Sequence, residues 1–544
     1  MKEIPYEGDE ASVAAVALPA IRPVPTAADE GKWARNLGLK DPTGEAARGP
    51  WTGEVPRGSW RSVALSLRPV LQHRLATLWG EDARDRVRVH ALWLGGSGTR
   101  GVHLYASLPE GSLELPTLSP EVAPALYFER EVAEMFGVEF AGSPDTRPLL
   151  LHHRHRAPPM RGEGAAPEAD RSRFDFAPVE GEGVYEIPVG PVHAGVIEPG
   201  HFRFQALGEQ ILDLEVRLGY THKGTERLWQ GRDPQKGVLL AESISGDHSV
   251  AGAVAYASAV EGALETPSLP APVEAARGLL LETERIAFLL GDVSGIVLDV
   301  GYAAGAAQAN VLRDRAYRLL ESLTGSRLGR GTVRVGGLSR PLPTLVPGKI
   351  ARELQELARG TEELLDHVQG VSSIMDRLRG TGTVPLAVAD ALGMVGPAAR
   401  ASGADRDVRR DRPYGAYRNE EVRVARQDAG DVEARLRVKV EEVREASRLA
   451  QAFLKRGALG GAVSVDGGVP SVSGERFGLG IVESPRGEFL FAVSIDHGSL
   501  QRVHVREPSF LNWPAIEYAV RENIVPDFPL CNKSLNLSYS GFDR

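Results

Sequence analysis

Cysteine is almost missing from this chain: Cys531 is the single one in 544 residues. One thiol excludes an intrachain disulfide, an iron–sulfur cluster held by this chain alone, and a thiolate-rich zinc site. Long apolar runs are also missing. No window approaches the roughly 18 uncharged apolar residues that a membrane-spanning helix needs, because Asp292 and Asp299 interrupt the most apolar tract, residues 288–309. The N-terminus has one early lysine and a broken apolar run, which makes it a poor signal peptide. There is no basic stripe, and a net charge of −9 with pI near 5.9 argues against a nucleic-acid partner. A reducing cytoplasmic location is expected, with other subunits holding the chain to any membrane it serves.

Hydrophobic residues make up 42% of the sequence, enough for an ample core, and the length predicts about three domains at roughly 150 residues each. Residues 1–60 are rich in Pro, Gly and Ala without a sustained period and read as a loose arm. Residues 61–156 read as a small α+β domain. VRVHALWLGG (87–96) and GVHLYASLP (101–109) have strand character, and Phe128, Val132, Met135 and Phe136 share one helical face that stops at Gly137. Residues 157–183 are charged, Gly/Pro-rich and aperiodic, a linker. Residues 184–544 open with short strands, become helical over 249–264, 272–291, 306–324, 348–376 and 431–455, and close with a β-rich region. In the last helix Val432, Leu436, Val440 and Val443 form the apolar stripe. The fold class is therefore α+β, with a mainly helical second part and β-rich flanks.

Three local patterns exclude functions. His152, His153 and His155 lack carboxylate or cysteine partners at ligand spacing and read as a solvated basic loop. The glycines of GLGIVESPRG do not open a strand–turn–helix unit, which leaves no dinucleotide site. Ser245 and His248 form a pair with no orienting acid or oxyanion loop evident, a poor basis for a hydrolase.

FEREVAEMFGVEFAGSPDTRPLLLH (128–152) resembles the C subunit of respiratory complex I. Five segments further on resemble the D subunit of complex I and, more closely, the large subunit of membrane-bound energy-converting nickel–iron hydrogenases. They are GPVHAGVIEPGHFRF (190–204), LGYTHKGTERL (218–228), GPAARASGADRDVRRDRPYGAY (396–417), ESPRGEFLFAV (483–493) and REPSFLNWPAIEYAV (506–520). The fusion of C-like and D-like units in one chain also occurs in those relatives. ESISGDHSVAG (242–252) lies over the first hydrogenase cysteine motif, which puts its two thiolate positions on Ser245 and His248 and its histidine on Gly252. LSYSGFDR (537–544) lies over the second motif, which puts the other two thiolate positions on Ser538 and Gly541. Nickel and iron in such a site need soft thiolates, and two hydroxyls, an imidazole and a hydrogen do not replace them. Cys531 lies outside the motif spacing and is expected to be a small buried apolar residue. The chain has no extension beyond the motif's arginine of the kind that hydrogenase maturation removes, so a centre that is never metallated is expected.

In complex I the same cavity binds a quinone headgroup, and the resemblance carries its histidine to His193 and the aspartate supporting that histidine to Asp299. The quinone-site tyrosine falls on Gly246, and His248 is the nearby candidate for a replacement donor. Glu198 matches a hydrogenase glutamate that relays protons. His193, Asp299 and Glu198 are thus the expected quinone and proton-relay residues, against a plain role holding β-loops to the helical core. The resemblance implies partners: an iron–sulfur small subunit, a ferredoxin-like subunit and integral membrane subunits. It also implies iron–sulfur clusters in those partners, no cofactor in this chain beyond a candidate quinone, and a peripheral place on the cytoplasmic side of the cell membrane. The first functional expectation is a cavity-forming subunit of an electron-transfer complex related to NADH–quinone oxidoreductase. The second is a non-catalytic structural element that couples redox and ion-pumping modules.

Overall fold

Part of the stretch before residue 61 is ordered rather than loose. The computed structural model describes residues 26–41, 49–155, 157–162, 167–171, 174–193, 197–461 and 473–544; the first 25 residues of the expected arm lie outside them. Helix α1 (Ala27–Asn36) starts on a capping box between Thr26 and Asp29. Strands β1 (Trp51–Glu54), β2 (Arg74–Asp82), β3 (Arg86–Leu94) and β4 (Val102–Pro109) form one sheet in the order β1-β4-β3-β2, with β1 parallel to β4. The four residues of β1 are too few to display a period, yet Trp51 is buried, as is Leu39 ahead of it. Tertiary packing therefore orders what local pattern leaves blank.

Helices α2 (Trp60–Leu71) and α3 (Ala125–Phe136) cover this sheet. The expected face of α3 is buried, and Gly137 ends the helix at a positive φ of 74°. The histidine run is not a solvated loop. His153–His155 pairs as a short strand with Pro167–Arg171 inside the expected linker. His152 Nε2 lies 3.0 Å from the Leu218 carbonyl, and its ring packs on Tyr220. A neighbouring unit, invisible to local composition, covers this stretch.

Strands β5 (Val184–Val189), β6 (His201–Leu207) and β7 (Gln210–Arg217) form an antiparallel sheet ordered β7-β6-β5. The helical body follows: α4 (Ser249–Ala263), α5 (Ala271–Asp299), α6 (Ala303–Thr324), α7 (Pro347–Gln369) and α8 (Val432–Lys455). The helix expected over 348–376 is two, because α7 ends at Gly370 and a separate turn begins at Ser372. The stripe of α8 is buried as its spacing requires. The chain closes with an antiparallel sheet of β8 (Arg476–Ser484), β9 (Gly487–Asp496) and β10 (Ser499–Arg506), then α9 (Phe528–Leu535) and α10 (Tyr539–Asp543).

Helix α4 is made of small residues and is buried nearly all round. Strand β8 lies directly on it. A Cβ at Gly480 would fall 1.9 Å from the Ala255 carbonyl oxygen, so glycine is required for that approach. The two sequence units share one interior: Phe128 and Val132 of α3 belong to the same core as Phe202, Phe204, Phe510 and Phe542. Ala76, Trp79 and Leu92 also pack on Leu490 and Ala492. At about 1.5–3 kcal/mol for each large apolar side chain buried, this shared core fixes the units against each other. Among the described residues, no helix is long and apolar enough to cross a membrane.

Candidate functional site

The first site segment turns into the N-terminus of α4, and the second forms the N-terminus of α10. The fold brings the two together. Ser245 Oγ and Ser538 Oγ are 2.8 Å apart. The Ser245 hydroxyl donates to Asp247 Oδ1 at 2.8 Å, so the shared proton of the serine pair comes from Ser538. Ser538 Oγ in turn accepts the Gly541 N–H at 2.9 Å as the cap of α10. These hydroxyls are satisfied within the protein.

Arg486, in the turn between β8 and β9, locks the two segments. Its guanidinium grips Asp247 through two bonds of 2.8 Å and reaches His248 Nδ1 at 3.1 Å. Its Nε donates to the Asn536 carbonyl at 2.6 Å, and the group sits over the Phe288 ring at 4.5 Å. Burial alone raises the Asp247 carboxyl, but the charge and hydrogen bonds of Arg486 outweigh it and hold it well below the usual range. Burial holds His248 down to about 3, with Arg486 adding to the effect against Asp247, so its imidazole is neutral.

The fourth position that the resemblance assigns to a thiolate is Gly541, and another side chain fills its space. A Cβ there would lie 2.6 Å from the carboxyl carbon of Glu507 and 2.7 Å from its Oε2. Glu507 is fully buried, accepts the Ser509 N–H at 2.6 Å, and presents Oε1 to His248 Nε2 at 3.5 Å. Neither of those two facing atoms has a hydrogen-bond partner of its own. Burial pushes the Glu507 carboxyl up to about 7 despite the opposing charge of Arg486. Two hydroxyls, a neutral imidazole and a glycine backed by a carboxyl do not fit a nickel–iron centre, whose metals demand soft thiolates.

The expected acceptor residues separate in space. His193 follows β5, half-exposed, with Nδ1 3.1 Å from the Pro191 carbonyl and Nε2 3.3 Å from the Tyr539 hydroxyl. Among the described residues no hydrogen bond joins His193 to Asp299. Asp299 ends α5 near Lys533 and Arg377, and burial raises its carboxyl. Its Oδ2 is buried without a partner. Glu198 is exposed and accepts the Ser540 N–H at 2.9 Å, which places it at the start of α10. Gly246 has no side chain to offer, and the Arg330 guanidinium lies 3.0 Å from where its Cβ would be. His248 is buried with Arg486 and Glu507 rather than beside His193.

Sequence reasoning missed Tyr539, Glu507, Asp247 and Arg486. Tyr539 is next to Ser538, and an aromatic flanking a ligand position was the available signal. Glu507 was legible only as an acid before the proline of REPSF. A further group with ligand-type atoms, Glu131, Glu226 and His504, meets at the junction of the two units. Arg502 and Arg544 already pair with its carboxylates. Cys531 is buried, and burial pushes its thiol up to about 12, as a packing residue requires.

A sheet unit of the complex I C-subunit type, fused through a common core to a helical body that brings the segments around Ser245 and Ser538 together, defines a large subunit of the complex I and hydrogenase class. Residues 54–168 match the family described as the 30 Kd subunit of respiratory-chain NADH dehydrogenase. Residues 299–473 and 463–544 match its 49 Kd subunit. Formate hydrogenlyase subunit 5 of Escherichia coli is 31% identical over 86% of this chain and 84% of its own length. The fused C/D subunit of the NADH-quinone oxidoreductase of Cronobacter sakazakii is 25% identical, covering 82% of each chain. The chain belongs to this family. A chain of the archaeal membrane-bound sulfane sulfur reductase shares the fold, with a TM-score of 0.62 at 24% identity over 68% of this chain and 100% of that one.

Proposed function

We propose that this chain is the large subunit of a membrane-associated electron-transfer complex, working without a nickel–iron centre and passing electrons from an iron–sulfur partner to a quinone-type acceptor. Its relatives are subunits of NADH-quinone oxidoreductases and hydrogenases. One observation carries the acceptor reading: the Tyr539 hydroxyl stands 3.3 Å from half-exposed His193. A phenol and an imidazole at that spacing converge on one carbonyl oxygen of a quinone headgroup, to which the phenol donates. Tyr539 thereby supplies the hydroxyl that Gly246 lacks. His193 hydrogen-bonds the acceptor, Glu198 delivers protons at the start of α10, and Asp299 tunes the field from the end of α5. Ser245, His248, Ser538 and Gly541 are the emptied ligand positions, held shut by Arg486 and Glu507. The partners on this reading are an iron–sulfur small subunit, a ferredoxin-like subunit and integral membrane subunits. The chain sits at the cytoplasmic face of the membrane, with the clusters in its partners.

A second reading, a non-catalytic structural role coupling redox and ion-pumping modules, is favoured by the filled frame itself. Side chains occupy the position of Gly541's missing substituent and link both segments rigidly. One experiment separates the readings. The intact complex is assayed for NADH- or ferredoxin-driven quinone reduction and for hydrogen evolution, with wild-type chain and with His193→Ala. Quinone reduction that falls at least tenfold in the variant, with no hydrogen evolved, supports the acceptor site. Equal rates in both sink it, and hydrogen evolution from this chain's centre overturns the metal-free reading.

A further inference from the structure

Seven ionisable side chains meet in the interior between α5, α8, the segment 400–411 and the end of β8. Three are cations, Arg285, Arg400 and Arg409, and four are carboxyls, Glu282, Asp407, Glu442 and Glu483. Each side chain is 2% exposed or less. The carboxyls are not equally paired. Glu442 meets all three guanidiniums, at 2.8 Å from Arg409, 3.1 Å from Arg400 and 3.9 Å from Arg285. Asp407 meets two, at 2.6 Å from Arg409 and 3.4 Å from Arg400. Glu282 meets two, at 2.9 Å from Arg285 and 3.3 Å from Arg409, and also accepts the Tyr417 hydroxyl. Glu483 meets only Arg400, at 2.8 Å, and otherwise accepts the Val408 N–H at 3.1 Å.

Four carboxylates against three guanidiniums leave one negative charge uncompensated. In an interior without solvent such a charge costs several kcal/mol, and a bound proton removes it. The two tyrosines at the cluster do not supply the missing charge: Tyr417 donates to Glu282, and the Tyr414 hydroxyl accepts the Glu483 N–H at 3.2 Å. The proton belongs on the carboxyl with the fewest cationic partners. The cluster is also linked to the emptied centre through the chain, because Arg285 donates to the carbonyls of Glu483 and Ser484, the last residues of β8 before the turn that carries Arg486.

We propose that this cluster is an interior proton store, with one exchangeable proton on Glu483 that is taken up or released as the charge at the neighbouring centre changes. Burial and the adjacent Asp407 push the Glu483 carboxyl up to about 7, against the pull of Arg400, Arg409 and Arg285. Glu442 and Asp407 are instead held low: their guanidinium partners outweigh burial. The existence of the store rests on the charge count alone, and its use in turnover rests on the electron-transfer reading above.

The test is an infrared pH-difference spectrum of the purified full-length chain, between about pH 5 and about pH 9, which brackets ordinary and raised carboxyls. The expected result is one protonated-carboxyl band that is present in wild type and lost in Glu483→Gln, with the variant as stable as wild type at neutral pH. An amide is nearly isosteric with a protonated acid. Glu442→Gln leaves three carboxylates on three guanidiniums, so the same band is expected to vanish there as Glu483 ionises. If Glu483→Gln keeps every band, or fails to fold at neutral pH because the site needs an anion, the proposal is overturned. None of these results depends on quinone reduction, so failure of the store and failure of the acceptor reading are told apart.

Discussion

Ser245 and Ser538, 293 residues apart in the chain, share a hydrogen bond of 2.8 Å at the positions where the resemblance puts two thiolates. The bond is the central link of a connected series, from Gly541 N–H through both serines to Asp247 and Arg486. Each member satisfies the next. Along this series the polar atoms are paired, as a buried network requires for stability, whereas His248 Nε2 and Glu507 Oε1 beside it face each other without a bond.

Glu507 and Gly541 are sterically coupled, and this predicts the outcome of restoring a cysteine. Gly541→Cys puts a Cβ 2.6 Å from the Glu507 carboxyl carbon. The expected cost is about 1–3 kcal/mol of stability, as for other overpacked cores. Glu507→Ala in the same chain should return much of it. Urea unfolding of the single and double variants measures both, and a single variant as stable as wild type would show that Glu507 moves aside freely.

Tyr539→Phe keeps the ring, packed 4.9 Å from Trp513, and removes only the hydroxyl facing His193. The fold should survive with little change in melting temperature. Donor-driven quinone reduction should need a several-fold higher quinone concentration, since one hydrogen bond contributes about 1 kcal/mol. An unchanged quinone dependence in the intact complex argues that the acceptor binds elsewhere.

Arg486→Met leaves the half-exposed Asp247 carboxylate without its guanidinium. Water reaches that carboxylate, so the loss is about 1–3 kcal/mol for the charge-assisted hydrogen bonds removed, read from the chemical-unfolding midpoint. Pairing it with Asp247→Asn should recover a large part. Arg486→Lys should stay impaired, because an ammonium does not reproduce the two parallel bonds to Asp247 together with the bond to the Asn536 carbonyl.

Acid should loosen the junction of the two sequence units through Glu488. Arg74 of β2 bonds its carboxylate at 2.5 Å, and Arg506 bonds it from β10. Burial raises this carboxyl, but the two guanidiniums outweigh it and bring it down to about 2. A folded-state value below the unfolded one of 4.5 means a contribution fully present above pH 4.5 and lost as pH falls toward 2. Up to about 3 kcal/mol is at stake. Glu488→Gln should show a flatter stability–pH curve across that interval, checked by unfolding at several pH values; parallel curves would discard the assignment.

Much of the fold was legible because it depends on periodicity. The helical faces around Phe128 and Val432 and the strand pair over β3 and β4 follow from local apolar spacing. The absence of thiolates at Ser245 and Ser538 also needed only the residue types and their order. Strand β1 was not legible, since four residues show no period and their order comes from pairing with β4. The setting of His152 escaped for the same reason, its partner Leu218 being 66 residues away.

The sequence by itself determined the donor chemistry: one cysteine, and hydroxyl, imidazole and hydrogen at the four ligand positions, whatever the chain's shape. Only the tertiary structure decided what those positions do. It joined Ser245 to Ser538, put the Glu507 carboxyl in the space beside Gly541, and gave His193 the hydroxyl of Tyr539 rather than the carboxylate of Asp299. Residue type sets which bonds a side chain is able to make. Which bonds it makes depends on groups hundreds of residues away, brought within hydrogen-bonding reach by the packing of a common core.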